Sequence, residues 1–288
     1  METASRSKST FLPSPSAEDA LAESAGDSAF ATTLAKGLVV LEAFGADAIV
    51  LGNMELSART GIPRPTVARL THTLAELGYL RYDADLARYR LGARPLRLVH
   101  PLLSGMPFRQ AARPLMQDLA ESVRGTVSIG MLDGIWAIYV ETARSGDVGP
   151  HVPDIGLPIA VVRTAMGRAA AALLPAADRS QLERRIAEDD AETWFTYRDL
   201  YRAGVRQSAE RGFCTCFGEY MPTIHAVAAP LFLARDLKQS FAINCGIPAF
   251  RLQPGQLETE IGPRIRALAA SIRALAGVDE QAIELGQT

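Results

Sequence analysis

No stretch of this chain approaches the run of about eighteen apolar residues that a membrane-spanning helix needs. Nor does a basic start lead into a continuous apolar segment before Leu38, so a secretory signal is not expected. Cysteines are scarce. Cys214, Cys216 and Cys245 are too few for a disulfide framework, and without export signals they are expected to be reduced thiols of a cytoplasmic protein. The four histidines, His72, His100, His151 and His225, are scattered, with no serine elbow or paired zinc-ligand motif beside them. Phosphate and dinucleotide loops of the GxxxxGK[ST] and GxGxxG types are missing too. Together these absences remove the enzyme classes that announce themselves by a local motif. No catalytic residue, metal or cofactor is expected.

Two residual constellations remain. Cys216, His225 and Glu219 could be assembled into a hydrolase triad, but chance supplies such trios often. Cys214, Cys216 and Cys245, with His151 or His225, could make a four-ligand zinc set, but structural zinc sites usually pair cysteines as CxxC. Cys214 and Cys216 are expected on a strand with their side chains on opposite faces, as buried thiols.

What the chain does have is a stretch with a clear architecture, Leu56 to Leu91. Asn53 or Ser57 can open a first helix whose apolar side is Met54, Leu56 and Ala58, and Gly61 ends it. Pro63 presets the next helix start. Val67, Leu70, Leu74 and Leu77 then recur at steps of three and four, which predicts one buried stripe. The opposite face carries Arg64, Thr66, Arg69, His72 and Thr73. After Gly78, residues 79–82 and 88–91 alternate as short strands around a turn at 83–87. Helix, turn, helix and wing outline a winged helix-turn-helix that enters a DNA groove.

Charge agrees. The whole chain is slightly acidic, at −2, but between Arg59 and Arg97 eight arginines face three acids, Glu76, Asp83 and Asp85, which leaves +5. Guanidinium forks suit phosphate and guanine, so double-stranded DNA is the expected partner. Candidate DNA contacts are Ser57, Arg64, Thr66, Arg69, His72 and Thr73, with Arg88 and Arg90 on the wing. A sensing or protein-interaction module without DNA binding is the competing reading.

These residues carry a resemblance. Residues 34–41, LAKGLVVL, with Gly61-Ile62-Pro63-Arg64-Pro65-Thr66-Val67, Leu77-Gly78-Tyr79-Leu80 and Tyr89-Arg90-Leu91-Gly92, resemble the DNA-binding part of the IclR family of bacterial transcription regulators, and the resemblance runs to about Ala276. Pro65 departs from it, since the family commonly has a small hydroxyl residue there.

Length and a 48% hydrophobic content allow two modest domains. The Ser-, Ala- and Pro-rich residues 1–30 read as a disordered tail, 31–92 as the DNA-binding domain and 93–106 as a linker helix with a Leu96, Val99 and Leu103 stripe. That stripe could pack on a second subunit or on its own second domain. Residues 107–280 read as an effector-binding and oligomerisation domain, and 281–288 as a tail. Helices are expected at 111–122, 164–174, 179–187, 198–211 and 256–276, and strands at 126–132, 135–141, 225–233 and 240–245, with Asp133-Gly134 as a hairpin turn. The fold class is therefore α+β. The resemblance implies a GAF-like domain with a six-stranded antiparallel sheet and an effector pocket, and a homodimer or homotetramer.

Small residues at the helix start 163–169 can seat a carboxylate on backbone amides. Carried over position by position, the resemblance implies effector contacts from Val148, His151, Ala165, Met166, Cys216, Ile224, Ala226, Asn244 and Gly246. Family members that bind small oxoacids have an acid where this chain has Cys216 and hydroxyls where it has Asn244 and Gly246. The pocket should be roomier and less polar, which suits a small organic acid bearing an aromatic or other ring.

Overall fold

The computed structural model describes residues 28–45, 47–146, 153–234 and 239–277. Its described residues fall into two compact units that divide between Met106 and Pro107.

In the first unit α1 (Thr32–Glu42), α2 (Asn53–Thr60) and α3 (Arg64–Glu76) surround a core of Val39, Val40, Leu51, Leu56, Ile62, Val67 and Leu70. The α2–α3 turn is tight because Gly61 sits in the left-handed region, φ 67°, which ends α2 without the penalty a side chain would incur. Glu55 reaches back to accept the Gly52 N–H at 2.7 Å and so secures the α2 start. Leu56 is fully buried, whereas Met54 and Ala58 are exposed; residues two apart lie on nearly opposite sides of a helix, so the expected apolar side shrinks to one residue. Leu77 departs from the expected stripe as well. It lies beyond the last turn of α3 and is 51% exposed, while Thr71 is fully buried and shares its hydroxyl hydrogen between Asn53 Oδ1 and Val67 O, both at 3.0 Å.

The wing is formed by β1 (Leu80–Asp83) paired antiparallel with β2 (Arg88–Leu91), and a bridge from Leu51 to Tyr89 ties it to the helices. Next comes α4 (Leu96–Ser104), with no residue buried: Leu96 is 69% and Leu102 52% exposed.

The second unit opens with α5 (Phe108–Val123). Its sheet is built from β3 (Thr126–Asp133), β4 (Trp136–Arg144), β5 (Pro158–Ala160), β6 (Cys214–Phe217), β7 (Ile224–Ala234) and β8 (Gln239–Pro248), all antiparallel, in the order β5-β4-β3-β8-β7-β6. Gly134, φ 54°, supplies the β3–β4 hairpin turn. Between β5 and β6 run α6 (Ala165–Ala171), α7 (Ala176–Asp189) and α8 (Ala191–Arg211). Asp190 caps α8 through its carboxylate on Thr193 N, so this helix starts well before the expected residue 198. The expected helix 256–276 is interrupted: a π-turn at Leu257–Ile261 precedes α9 (Gly262–Leu275).

Packing on the sheet places the site. One face, with Tyr139, Cys214, Cys216, Ala226, Ala228 and Ala242, is covered by α6. Strand alternation assigns Val127, Ile243 and Cys245 to the other face, against α5 and α9. Gly167 is what lets α6 lie so close: a Cβ there would stand 2.3 Å from Val161 Cα.

Candidate functional site

On the outer face of α3, Arg64, Arg69, His72 and Thr73 are exposed along successive turns, while Thr66 is half-buried. Arg64 and Arg69 have no ion pair among the described residues, and neither does Arg81 on β1, which counts toward the basic balance of the segment but was not among the expected DNA contacts. The wing arginines differ. Arg88 pairs with Glu55 at 2.9 Å and Arg90 with Asp83 at 2.8 Å, so both are partly neutralised within the fold. Gly52 N–H, with Arg88 beside it, holds the Glu55 carboxyl below its usual value, so the first of these pairs stays ionised. Ser57 turns its hydroxyl inward to donate to Ile62 O at 2.7 Å, and Thr73 donates to Arg69 O at 2.9 Å. The surface that remains is a helix face with two guanidinium groups that make no ion pair among the described residues, with a third such group on β1.

In the second unit a cavity of about 80 Å³ lies between the sheet and the start of α6, several times the room one water requires. Six of the sequence-derived residues meet at it: Ala165, Cys216, Ile224, Ala226, Asn244 and Gly246. Met166 does not line it. That side chain is fully buried against Gly130, where an added Cβ would collide with its sulfur, so Met166 supports the floor from behind. Val148 and His151 lie outside the described residues. Tyr139, Thr126, Tyr220 and Met221 also line the cavity. None of these four was singled out from sequence, and only the alternation of β3 and β4 could have suggested the first two. A larger groove of about 280 Å³, between the end of α5 and the π-turn, gathers none of the sequence-derived residues.

The polar wiring around the cavity explains its shape. Arg168, 1% exposed, donates to Val162 O and through Nη1 to Glu219 Oε1 at 3.3 Å. The other oxygen of Glu219 accepts from the Cys216 thiol, and its backbone carbonyl accepts from Arg163 Nε at 3.0 Å. Burial alone would raise the Glu219 carboxyl, but the thiol, backbone and Arg168 contacts outweigh it and hold the group below its usual value. Glu219 thereby fastens the β6–β7 connection, and Tyr220 and Met221 with it, beside the cavity.

Cys214 and Cys216 project to the same face, not opposite ones, because residues two apart on a strand must: Cys214 donates to Ala165 O and Cys216 faces Arg163 O. Burial pushes both thiols up, to about 11 and about 12. Cys245 stands on the other face, so the three sulfurs do not converge. The triad does not form either. His225 pairs in register with Phe217, one residue out of phase with Cys216, and packs on that ring at 5.4 Å.

Comparisons with known proteins bear on both units. The family model for the IclR helix-turn-helix domain matches residues 33–84, and that for the C-terminal domain of bacterial IclR regulators matches 100–274. The chain is 31% identical to the Pca regulon regulatory protein of Pseudomonas putida, covering 85% of this chain and 84% of that one. It is 30% identical to the p-hydroxybenzoate hydroxylase transcriptional activator of Acinetobacter baylyi, over 84% and 90% of the two chains. Among solved structures, an IclR family transcriptional regulator from Brucella abortus superposes with a TM-score of 0.79 at 34% identity, covering 86% of this chain and 94% of that one.

Proposed function

This chain belongs to the IclR family of bacterial transcription regulators, and we propose that it binds a pseudopalindromic operator as a homodimer or homotetramer, under the control of a ring-bearing organic acid held in the cavity beside α6. In this reading residues 31–92 bind DNA, 93–106 link, and 107–280 hold the effector. The protein works in the cytoplasm, by binding and not by catalysis. The observation that carries the DNA half is the exposed face of α3, where Arg64 and Arg69 stand without a carboxylate partner among the described residues. In this reading Arg64 and Arg69 make base or phosphate contacts, Arg69 reading a base edge, with Thr66 and His72 in support and Arg88 and Arg90 as wing contacts.

For oligomerisation the support is α4. Leu96, Leu98, Val99 and Leu102 are all exposed, and covering such a surface with a second copy removes about 25 cal/mol of unfavourable hydration per Å² of apolar area.

For the effector, the support is the apolar wall of Met221, Ile224 and Ala226, together with relatives named for a Pca regulon and for p-hydroxybenzoate hydroxylase. In this reading the carboxylate sits on backbone amides near Ala165, with His151 as a further expected contact.

Fluorescence anisotropy tests the reading. The purified protein is titrated onto DNA from its own upstream intergenic region and onto an unrelated duplex of equal length, across a salt series. Selective, salt-sensitive binding is expected. Equal, weak binding to both duplexes that no ring acid makes selective would overturn it in favour of a sensing module.

A further inference from the structure

Resting on the ring-acid reading above, we infer that the effector presents a hydrogen-bond donor, a hydroxyl or an N–H, to Asn244 on β8, so that Asn244 selects donor-bearing rings over the unsubstituted acid. The cavity wall states this through its inventory of hydrogens. Thr164 Oγ1 donates to Ala160 O at 2.9 Å and accepts from Gly167 N at 3.2 Å, so it is satisfied. Thr126 Oγ1 turns its hydrogen to Gly246 O at 3.4 Å, and the Cys216 thiol gives its own to Glu219. Three polar groups of the wall have thus spent their hydrogens within the protein.

Asn244 completes the imbalance. The residue is 9% exposed and lines the cavity, and its Oδ1 is buried with no hydrogen-bond partner among the described residues. Beside it the amide nitrogen can donate to the Tyr139 oxygen, whereas the carbonyl oxygen is the unmet need. Buried, unpaired acceptors are rare in folded proteins, and one in a cavity wall marks where a ligand group belongs.

A carboxylate cannot meet that need, because it only accepts; nor can an ether oxygen. A hydroxyl or amine on the ring can. The carboxylate of the same ligand then points the other way, toward Ala165. Gly246 leaves the approach open, since a Cβ there would stand 3.2 Å from Thr126 Oγ1 and fill the space in front of the β8 wall.

Isothermal titration of the full-length protein with benzoate and its mono-hydroxy, mono-amino and mono-methoxy isomers tests this. At least one hydroxy or amino isomer should bind about tenfold more tightly than benzoate and than its methoxy counterpart, one neutral hydrogen bond's worth. Asn244→Leu should erase that ratio, bringing the affinity for the donor-bearing isomer down to that for benzoate. Tyr139→Phe, a gentler change on the same wall, should reduce it. The inference falls if benzoate or a methoxy isomer binds as well as every donor-bearing one, or if Asn244→Leu leaves the ratio intact; the ring-acid reading would survive either result. If no member of the panel binds while operator binding in the same preparation persists, both the inference and the ring-acid reading are overturned, and the regulator stands.

Discussion

Removing Arg69 and removing Arg88 should have different signatures in salt, and the difference comes from one carboxylate. Arg69 is exposed without an ion-pair partner among the described residues, whereas Arg88 already holds Glu55 at 2.9 Å. Each phosphate neutralised contributes about −0.9 to the slope of log affinity against log salt, so deleting one arginine–phosphate pair in each subunit of the proposed dimer flattens the slope by about 1.8. Between about 50 and 200 mM salt that amounts to roughly a tenfold narrowing of the affinity range. Arg69→Ala should show a large part of this, along with relaxed sequence preference if the guanidinium also reads a base. Arg81→Ala should flatten the slope and leave preference unchanged. Arg88→Ala should flatten it less, because binding must first loosen the Glu55 pair. Anisotropy titrations at four or more salt concentrations, on operator and on an unrelated duplex, give both readouts. Equal slope changes for Arg69→Ala, Arg81→Ala and Arg88→Ala would refute the premise that the internal pairs set which arginines are available.

Arg168→Met should destabilise the second unit by about 3–5 kcal/mol, because Glu219 keeps its charge with its partner gone, and Glu219→Gln in the same chain should recover part of the loss in urea denaturation. Little change in the single variant would show that the pair is unimportant. The lowered Glu219 carboxyl favours the fold only above its unfolded value of 4.5, and that contribution disappears as pH falls through this value toward the lower folded one, which acid titration of stability in wild type and Glu219→Gln will reveal. At the other extreme the raised thiols favour the fold while protonated, so stability should decline as pH climbs past 9, the unfolded thiol value, and native protein should react slowly with a thiol reagent until unfolded. Fast labelling of all three cysteines in the native state would contradict their placement. Gly167→Ala should cost about 1–3 kcal/mol, since the new methyl meets the Val161 backbone and not a flexible side chain; an unchanged thermal midpoint would mean α6 packs less closely than described.

Local chemistry made the first unit legible. Gly61 can only end α2, Pro63 favours the start of α3, and Val67 with Leu70 falls inward because the helical period demands it. Where an expectation failed, a competing physical term had won. Leu77 obeys the period but not the helix, which has already ended at Glu76. Thr71 breaks the hydrophobic pattern because its hydroxyl finds Asn53, eighteen positions away in sequence. The pairing of Arg88 with Glu55 joins the wing to the start of α2, and no window of sequence displays it.

The cavity was legible in a different way, through its walls and not its chemistry. Position-by-position resemblance brought six residues to one place, but it could not say which of them have hydrogen-bonding capacity to spare, since that depends on Gly246 O, Ala160 O and Glu219 as partners. Glu219 stood out in the sequence only as a possible member of a triad with His225. Strand register places His225 out of phase with Cys216, and the fold gives Glu219 to Arg168 instead. The residue that argued for catalysis thus becomes the fastening of Tyr220 and Met221, and in the proposal recognition passes to Asn244, whose Oδ1 has no partner among the described residues. A small hydroxyl at that position could satisfy itself on a neighbouring carbonyl, whereas the Asn244 carbonyl oxygen needs a donor from outside, which is how a single side chain can set what a pocket prefers.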